Sequence, residues 1–264
     1  MRPFRLDGCT VCLTGATGHL GRAMSAGLAA AGAHLVLCGR NLQRLQELER
    51  ELRKTGAETT VLACDLAMPA ERRRLASELQ TRFHTLDVLI NNAHGGRPGP
   101  WSQAEEADFA FAQSLAVNAP HDLIQKLLPL LEAGAVRKGG ASVINVSSMY
   151  GTVSPDPAIY GDSGLNSPPQ YGAAKAAMLQ LTRYLAIHLA AKKIRVNALT
   201  PGPFPRQPIQ DSMPEFCDTL RQKVPMKRLG DADEIIGPVL FLASDASSYV
   251  TGATLPVDGG WTAW

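Results

Sequence analysis

The 264-residue chain lacks several features that would assign it to whole classes of protein. No apolar run approaches the ~20 residues that a membrane-spanning helix needs. Nothing at its start resembles a signal peptide, so a cytoplasmic protein with no membrane partner is expected. Charge of either sign is not in excess: 26 basic and 24 acidic residues leave a formal net charge of +2. That is too weak a field to point to nucleic acid as a partner. The basic run Glu71-Arg72-Arg73-Arg74 sits on a predicted helix beside Glu78 and reads as a solvated face. No internal repeat or low-complexity linker divides the chain, and its length suits one α/β domain over 1–264. Cysteine is sparse, at 9, 12, 38, 64 and 217. Cys9 and Cys12 spell C-x-x-C, but residues three apart on a strand face opposite sides. The other cysteines lie in apolar strand-like runs, so buried, reduced thiols are expected.

What is present is a regular alternation. Strands are predicted over 9–15, 34–40, 59–66, 86–93, 142–148, 194–202 and 253–260. Helices are predicted over 19–32, 41–56, 69–83 and 109–131, the first two closed by Gly32 and Gly56. This pattern predicts an α/β, Rossmann-type doubly wound parallel sheet of seven strands, in three layers α/β/α. In such sheets ligands bind beyond the carboxyl ends of the strands. The polar clusters TGATGHLG, CGRN, CDL, NNAHGG, NVSS and TPGPFPR all fall at those ends.

Two clusters carry chemistry. In TVCLTGATGHLG the glycines Gly15, Gly18 and Gly21 let a backbone approach a pyrophosphate at a helix N-terminus, although a tight strand-to-helix turn would look the same. Further on, Ser147 and Ser148 end a strand, and Tyr171 and Lys175 follow four residues apart on one helix face. Ser167-Pro168-Pro169-Gln170 reads as the start of that helix: serine cap, proline first, glutamine three residues after the cap. Tyr171 then lies in the first turn, where the macrodipole favours an anion. A phenol with an ordinary pKa of about 10 needs that help, and a neighbouring cation, to exchange protons near neutrality.

Over essentially its whole length the chain resembles the short-chain dehydrogenase/reductase family, classical type. The matching motifs are TGATGHLG, Asp65 of CDL, NNAH at 91 to 94, AVN ending at Asn118, NVSS, YGAAK, IRVNALTPGP and VTGATLPVDGG. The resemblance implies that Tyr171 is the general acid/base and that Lys175 holds the nicotinamide ribose and lowers the tyrosine pKa. It implies that Ser148 holds the reacting oxygen and that Asn118 supports a water in the proton relay. It sets Thr17, Gly18, His19, Leu20 and Gly21 against the phosphates, and Asp65, Leu66, Asn92 and Ala93 around the adenosine. Pro201 and Gly202 would border the nicotinamide. Three departures stand out: His19 in place of the usual middle glycine, His94 in place of a glycine, and a gap between Ser148 and Tyr171 roughly ten residues longer than usual. No other His, Cys or Asp is spaced to share a metal with His94, and no metal is expected.

The expected activity is an NAD(P)-dependent oxidoreductase interconverting a secondary alcohol and a ketone on a small molecule. Within the family the chain is most similar to gluconate 5-dehydrogenase-like and sugar-modifying members, which implies a sugar, sugar acid or polyol. A 3-oxoacyl-(acyl-carrier-protein) reductase is the alternative within the class, and a non-catalytic NADP-sensing binding protein the alternative outside it. NADP(H) is expected over NAD(H), because Gly39 replaces an acid and Arg40 can pair with a 2′-phosphate. The insert 152–169 is expected to close over a polar substrate, offering Asp156, Tyr160, Asp162, Ser163 and Asn166. His94, Arg97, Tyr150 and Arg206 complete the expected substrate contacts. A homotetramer or homodimer is implied by the resemblance, with Trp261 and Trp264 suited to an interface.

Overall fold

The computed structural model describes residues 4–161 and 166–263. Seven strands form one parallel sheet: β1 (Thr10–Thr14), β2 (His34–Gly39), β3 (Thr59–Ala63), β4 (Val88–Asn91), β5 (Ala141–Val146), β6 (Ile194–Pro201) and β7 (Thr254–Val257). Their order is β3-β2-β1-β4-β5-β6-β7, so the direction of winding reverses between β1 and β4. A crevice opens at that switch point. Register is set by pairs such as Cys12↔Val36 and Cys12↔Leu89.

The helices are α1 (His19–Ala30), α2 (Leu42–Arg53), α3 (Pro69–Arg82), α4 (Glu106–Gln113), α5 (Ala119–Lys138), α6 (Pro169–Leu189), α7 (Gln207–Ser212), α8 (Pro214–Lys223) and α9 (Ile236–Ala243). Strand side chains alternate between two cores, as the pleat requires. On one face Cys12, Val36, Leu89, Val143 and Val196 pack with Leu75, Leu79, Leu127 and Leu189 from α3, α5 and α6. On the other, Val11, Leu13, Leu35, Ile90 and Ile144 pack with Met24, Leu28, Leu48 and Leu242 from α1, α2 and α9. Cys9 packs against the second core and Cys12 lies in the first, so the C-x-x-C pair is split across the sheet.

Four expectations need correction. The helix expected over 109–131 is α4 and α5 joined by a π-turn at Ser114–Asn118. Cys217 lies buried on α8, not in a strand. The start of α6 has Pro168 as its cap residue, with Pro169 first and no side-chain cap, so Ser167 stands one residue outside. Arg72 is not solvated: it is 6% exposed, donates to the Leu66 carbonyl at 2.6 Å and pairs with Asp122 at 2.8 Å. Its neighbour Arg74 does face water, paired with Glu71 and Glu78.

Candidate active site

A cleft of about 470 Å³ runs across the carboxyl ends of the strands. Its floor is the turn between β1 and α1. Gly15 has φ +66°, and a Cβ there would stand 2.9 Å from Ala93 Cα; a Cβ on Gly21 would stand 2.2 Å from the Gly15 carbonyl. The turn therefore has room for backbone and a ligand but not for side chains. Asn92 secures it, its amide donating to the carbonyls of Thr14 and Gly15 at 3.1 Å each. The cap residue of α1, Gly18, offers no side-chain cap, and the first turn holds no acid. The first-turn N–H groups and the positive helix end are thus free to meet an anion. Thr17, His19 and Leu20 complete this floor.

The adenosine end is formed where β2 and β3 stop. Arg40 follows Gly39, and Asn41 caps α2 by accepting from Arg44 N–H at 3.0 Å. That cap places Arg44 in the first turn of α2, and it lines the cleft together with Arg40, which precedes the helix. Cys64 and Leu66 form the facing wall, where burial pushes the Cys64 thiol up to about 12. Asp65 itself does not line the cleft; its carboxylate accepts from Ala67 N–H at 3.0 Å and holds the local turn.

At the other end Ser148, Tyr171 and Lys175 converge. The short turn Met149–Gly151 lies on α6 so closely that a Cβ on Gly172 would stand 2.9 Å from the Tyr150 carbonyl. Ser147 donates to the Lys175 carbonyl at 2.8 Å, fixing the two segments together. Ser148 accepts from Tyr150 N–H at 3.1 Å and lines the cleft beside the phenol of Tyr171. Burial pushes the Tyr171 phenol up, and the Ser148 hydroxyl opposes it in part. The phenol thus stands above its ordinary value, not below it as the resemblance implies. Lys175 is fully enclosed, donates to the Val146 carbonyl at 2.7 Å, and lies 5.8 Å from the Tyr171 ring centre. Its burial lowers its own pKa to about 8.

The substrate contacts expected from the sequence divide. His94 and Arg206 line the cleft with Ala93, Pro201, Gly202 and Phe204. The His94 ring meets Tyr171 edge-on at 6.5 Å; burial first, then the charges of Lys175 and Arg206, press its pKa down to about 4. Arg97 instead binds the Gln103 carbonyl and Asp108, each at 3.0 Å, and is turned away. Tyr150 and Tyr160 meet through their hydroxyls at 3.3 Å, outside the residues that line the cleft. Tyr160 stacks on Phe216 of α8 at 5.8 Å, in a cluster with Ile159, Leu220 and Trp261. Asp156 caps Ala158 and ion-pairs with Lys223. The first part of the insert is therefore docked on α8, and its tyrosine is committed to packing. Asp162, Ser163 and Trp264 lie outside the described residues. Asn118 ends the π-turn exposed, while Leu115 of the same turn lines the cleft.

Sequence reasoning missed Arg44, Cys64, Leu115, Val146, Ser147 and Phe204 as cleft residues. The place of Arg44 in the first turn of α2, directly after the Asn41 cap, was a usable signal. The lining holds Arg40, Arg44, Lys175 and Arg206 and no carboxylate, which suits a ligand carrying several negative charges. Among the described residues no group of His, Cys, Asp and Glu is arranged to hold a metal ion. No helix among them is long and apolar enough to cross a membrane.

A family profile described as enoyl-(acyl carrier protein) reductase matches residues 15–262. A tropinone reductase homologue from Arabidopsis thaliana is 35% identical over 260 residues, 98% of this chain and 91% of its own length. The RhlG/NADP active-site complex of Pseudomonas aeruginosa superposes with a TM-score of 0.89 at 30% identity, covering 99% of this chain and 100% of that one. A gluconate 5-dehydrogenase from Burkholderia cenocepacia, solved with NADP and tartrate, gives a TM-score of 0.86 at 30% identity, covering 99% and 98%.

Proposed function

The chain belongs to the short-chain dehydrogenase/reductase family of NAD(P)-dependent enzymes acting on CH–OH groups, and from that premise we propose an NADP(H)-preferring oxidoreductase that interconverts a secondary alcohol and a ketone on a sugar, sugar acid or polyol. The observation that carries this reading is the meeting of Ser148, Tyr171 and Lys175 at one end of a carboxylate-free cleft whose other end presents Arg40 and Arg44. The tight glycine turn and uncapped helix start fit a diphosphate, and the two arginines fit a 2′-phosphate.

A bound nicotinamide coenzyme would supply the hydride acceptor for the alcohol and the hydride donor for the ketone. Ser148 holds the substrate oxygen; its lone pair already receives Tyr150 N–H, which leaves the hydroxyl hydrogen to donate. Tyr171 gives its proton to that oxygen in reduction and removes one in oxidation. Lys175 supplies the positive charge that favours the phenolate, reinforced by the helix N-terminus beneath Tyr171. Since burial holds the phenol protonated above its ordinary value, oxidation is expected to quicken as pH rises. His94, neutral at pH 7, can donate to or accept from a substrate hydroxyl. That polar wall, and the relationship to a gluconate 5-dehydrogenase, support a hydroxylated substrate over an acyl chain.

The test is a panel of sugar acids, polyols and 3-oxoacyl thioesters assayed with both coenzymes. The reading expects turnover on a hydroxylated compound, with NADP favoured. Arg40→Ala and Arg44→Ala should each lower kcat/KM for NADP and leave that for NAD nearly unchanged. A preference for thioesters would overturn the substrate assignment, and a preference for NAD the coenzyme assignment. A homotetramer or homodimer is also proposed: Tyr184 and Ile187, one turn apart on α6, are 56% and 77% exposed and suit an interface. Sedimentation as a monomer at micromolar concentration would contradict it.

A further inference from the structure

Arg206 was expected to read a substrate acid group, yet its surroundings favour a different partner. The residue caps the start of α7, at the end of the run Pro201-Gly202-Pro203-Phe204-Pro205. Three prolines stiffen that run. It is also tied at two points: Gly202 N–H donates to the Val257 carbonyl at 2.9 Å, and Gly230 N–H to the Pro203 carbonyl at 3.0 Å. The base of Arg206 is therefore fixed while its side chain is exposed. Among the described residues its guanidinium has no hydrogen bond and no ion pair. By contrast, Arg72, Arg74, Arg97 and Arg228 each hold a carboxylate.

The cleft places Arg206 with His19, the first residue of α1, as well as with His94 beside Tyr171. Its charge is felt by both imidazoles and helps burial keep each below its ordinary value. Arg206 thus lines the same cleft as the phosphate floor and the reacting end, and its charge acts on a histidine at each. The floor is short of positive charge for a diphosphate. A helix N-terminus supplies roughly half an elementary charge, and a diphosphate bridge carries about two negative ones. Arg40 and Arg44 stand at the adenosine end, and Lys175 is enclosed and already donating to Val146.

Building on the coenzyme reading above, we propose that Arg206 is the counter-charge of the coenzyme's diphosphate, reaching it from the loop after β6 on the side opposite α1. It acts as a clamp on either coenzyme and does not select between them, because the diphosphate is common to NAD and NADP. The substrate's own groups are then left to Ser148 and His94.

The test measures binding by calorimetry in the absence of substrate, with three probes: NADP, ADP-ribose, which keeps the diphosphate without the 2′-phosphate, and 2′-AMP, which has the reverse. Arg206→Gln should weaken NADP and ADP-ribose on the order of tenfold or more, as loss of a charge-assisted contact does. Binding of 2′-AMP should not change, which also shows that the variant is folded. Arg206→Lys should recover part of the loss. Arg40→Ala should give the opposite pattern, weakening 2′-AMP and sparing ADP-ribose. Unchanged ADP-ribose affinity in Arg206→Gln would overturn the proposal. If KM for a sugar acid rose at the same time, Arg206 would be a substrate reader instead. A wild-type protein binding neither NADP nor ADP-ribose would overturn the coenzyme reading along with it.

Discussion

Replacing Lys175 with methionine should make the free protein more stable while removing its activity. The ammonium is 3% exposed and donates to a single carbonyl, that of Val146. Burial moves its pKa from 10.5 to about 8. At ~1.4 kcal/mol per unit, holding the charge in place costs on the order of 3 kcal/mol at neutral pH. Methionine fills a similar volume without that cost but leaves the Val146 carbonyl unpaired, which returns roughly 1 kcal/mol. The net gain is about 2 kcal/mol, or a rise in Tm of ~4–8 °C for a chain of this size. The pH dependence has a definite sign. Between about 8 and 10.5 the unfolded chain keeps a proton that the folded protein gives up, so wild-type stability rises with pH there. The advantage of Lys175→Met is therefore full below pH 8 and shrinks toward pH 10.5. Calorimetric melting of both proteins at pH 7 and pH 10 measures it. An unchanged or lower Tm for the variant at pH 7 would refute the view that Lys175 is held in place at the expense of stability.

Three further outcomes follow from particular contacts. Gly21→Ala should lose coenzyme binding and melt earlier, because the new Cβ would lie 2.2 Å from the Gly15 carbonyl and force the phosphate floor to move; unchanged NADP affinity by calorimetry would contradict this. Tyr160→Ala should release the insert from α8, lowering Tm and exposing the segment to limited proteolysis while NADP affinity stays the same; a cleavage pattern like that of the wild type would count against the docked insert. His94, held near 4, should contribute no inflection to the pH profile of kcat/KM between pH 5 and 8, so a step near 6.5 that disappears in His94→Gln would show its environment to be more polar than described.

The seven strands and the helices as far as α6 were legible because both carriers of the signal are local, whereas α7, α8 and α9 between the last two strands were not anticipated. Apolar strands alternate with amphipathic helices, and turn residues mark most of the boundaries between them. The glycine turn and the Tyr171–Lys175 spacing were legible for the same reason: the chemistry sits within single turns of the chain. What could not be read were competitions between side chains distant in sequence. Arg97 faces away because Asp108 offers a carboxylate eleven residues later. Tyr160 packs on α8 because Phe216 and Leu220 provide an apolar bed that the insert's own composition does not announce. Arg72, on a helix rich in charge, is buried because Asp122 of α5 meets it. The π-turn before α5 carries no Gly or Pro signal within Ser114–Asn118 and was read as continuous helix.

The central claim is that Tyr171, supported by Ser148 and Lys175, passes the proton in an NADP-linked alcohol–ketone interconversion. Its most direct test is the formation of reduced nicotinamide by wild type and Tyr171→Phe across the sugar-acid and polyol panel, with NADP affinity measured in parallel. The account predicts turnover by the wild type on at least one secondary alcohol. It predicts that the variant falls below about a hundredth of that rate, since an acid/base group contributes ~10²–10⁴-fold, while binding NADP almost as well. A variant that kept more than that fraction of its rate, or a wild type that bound NADP and turned over no alcohol or ketone, would contradict it.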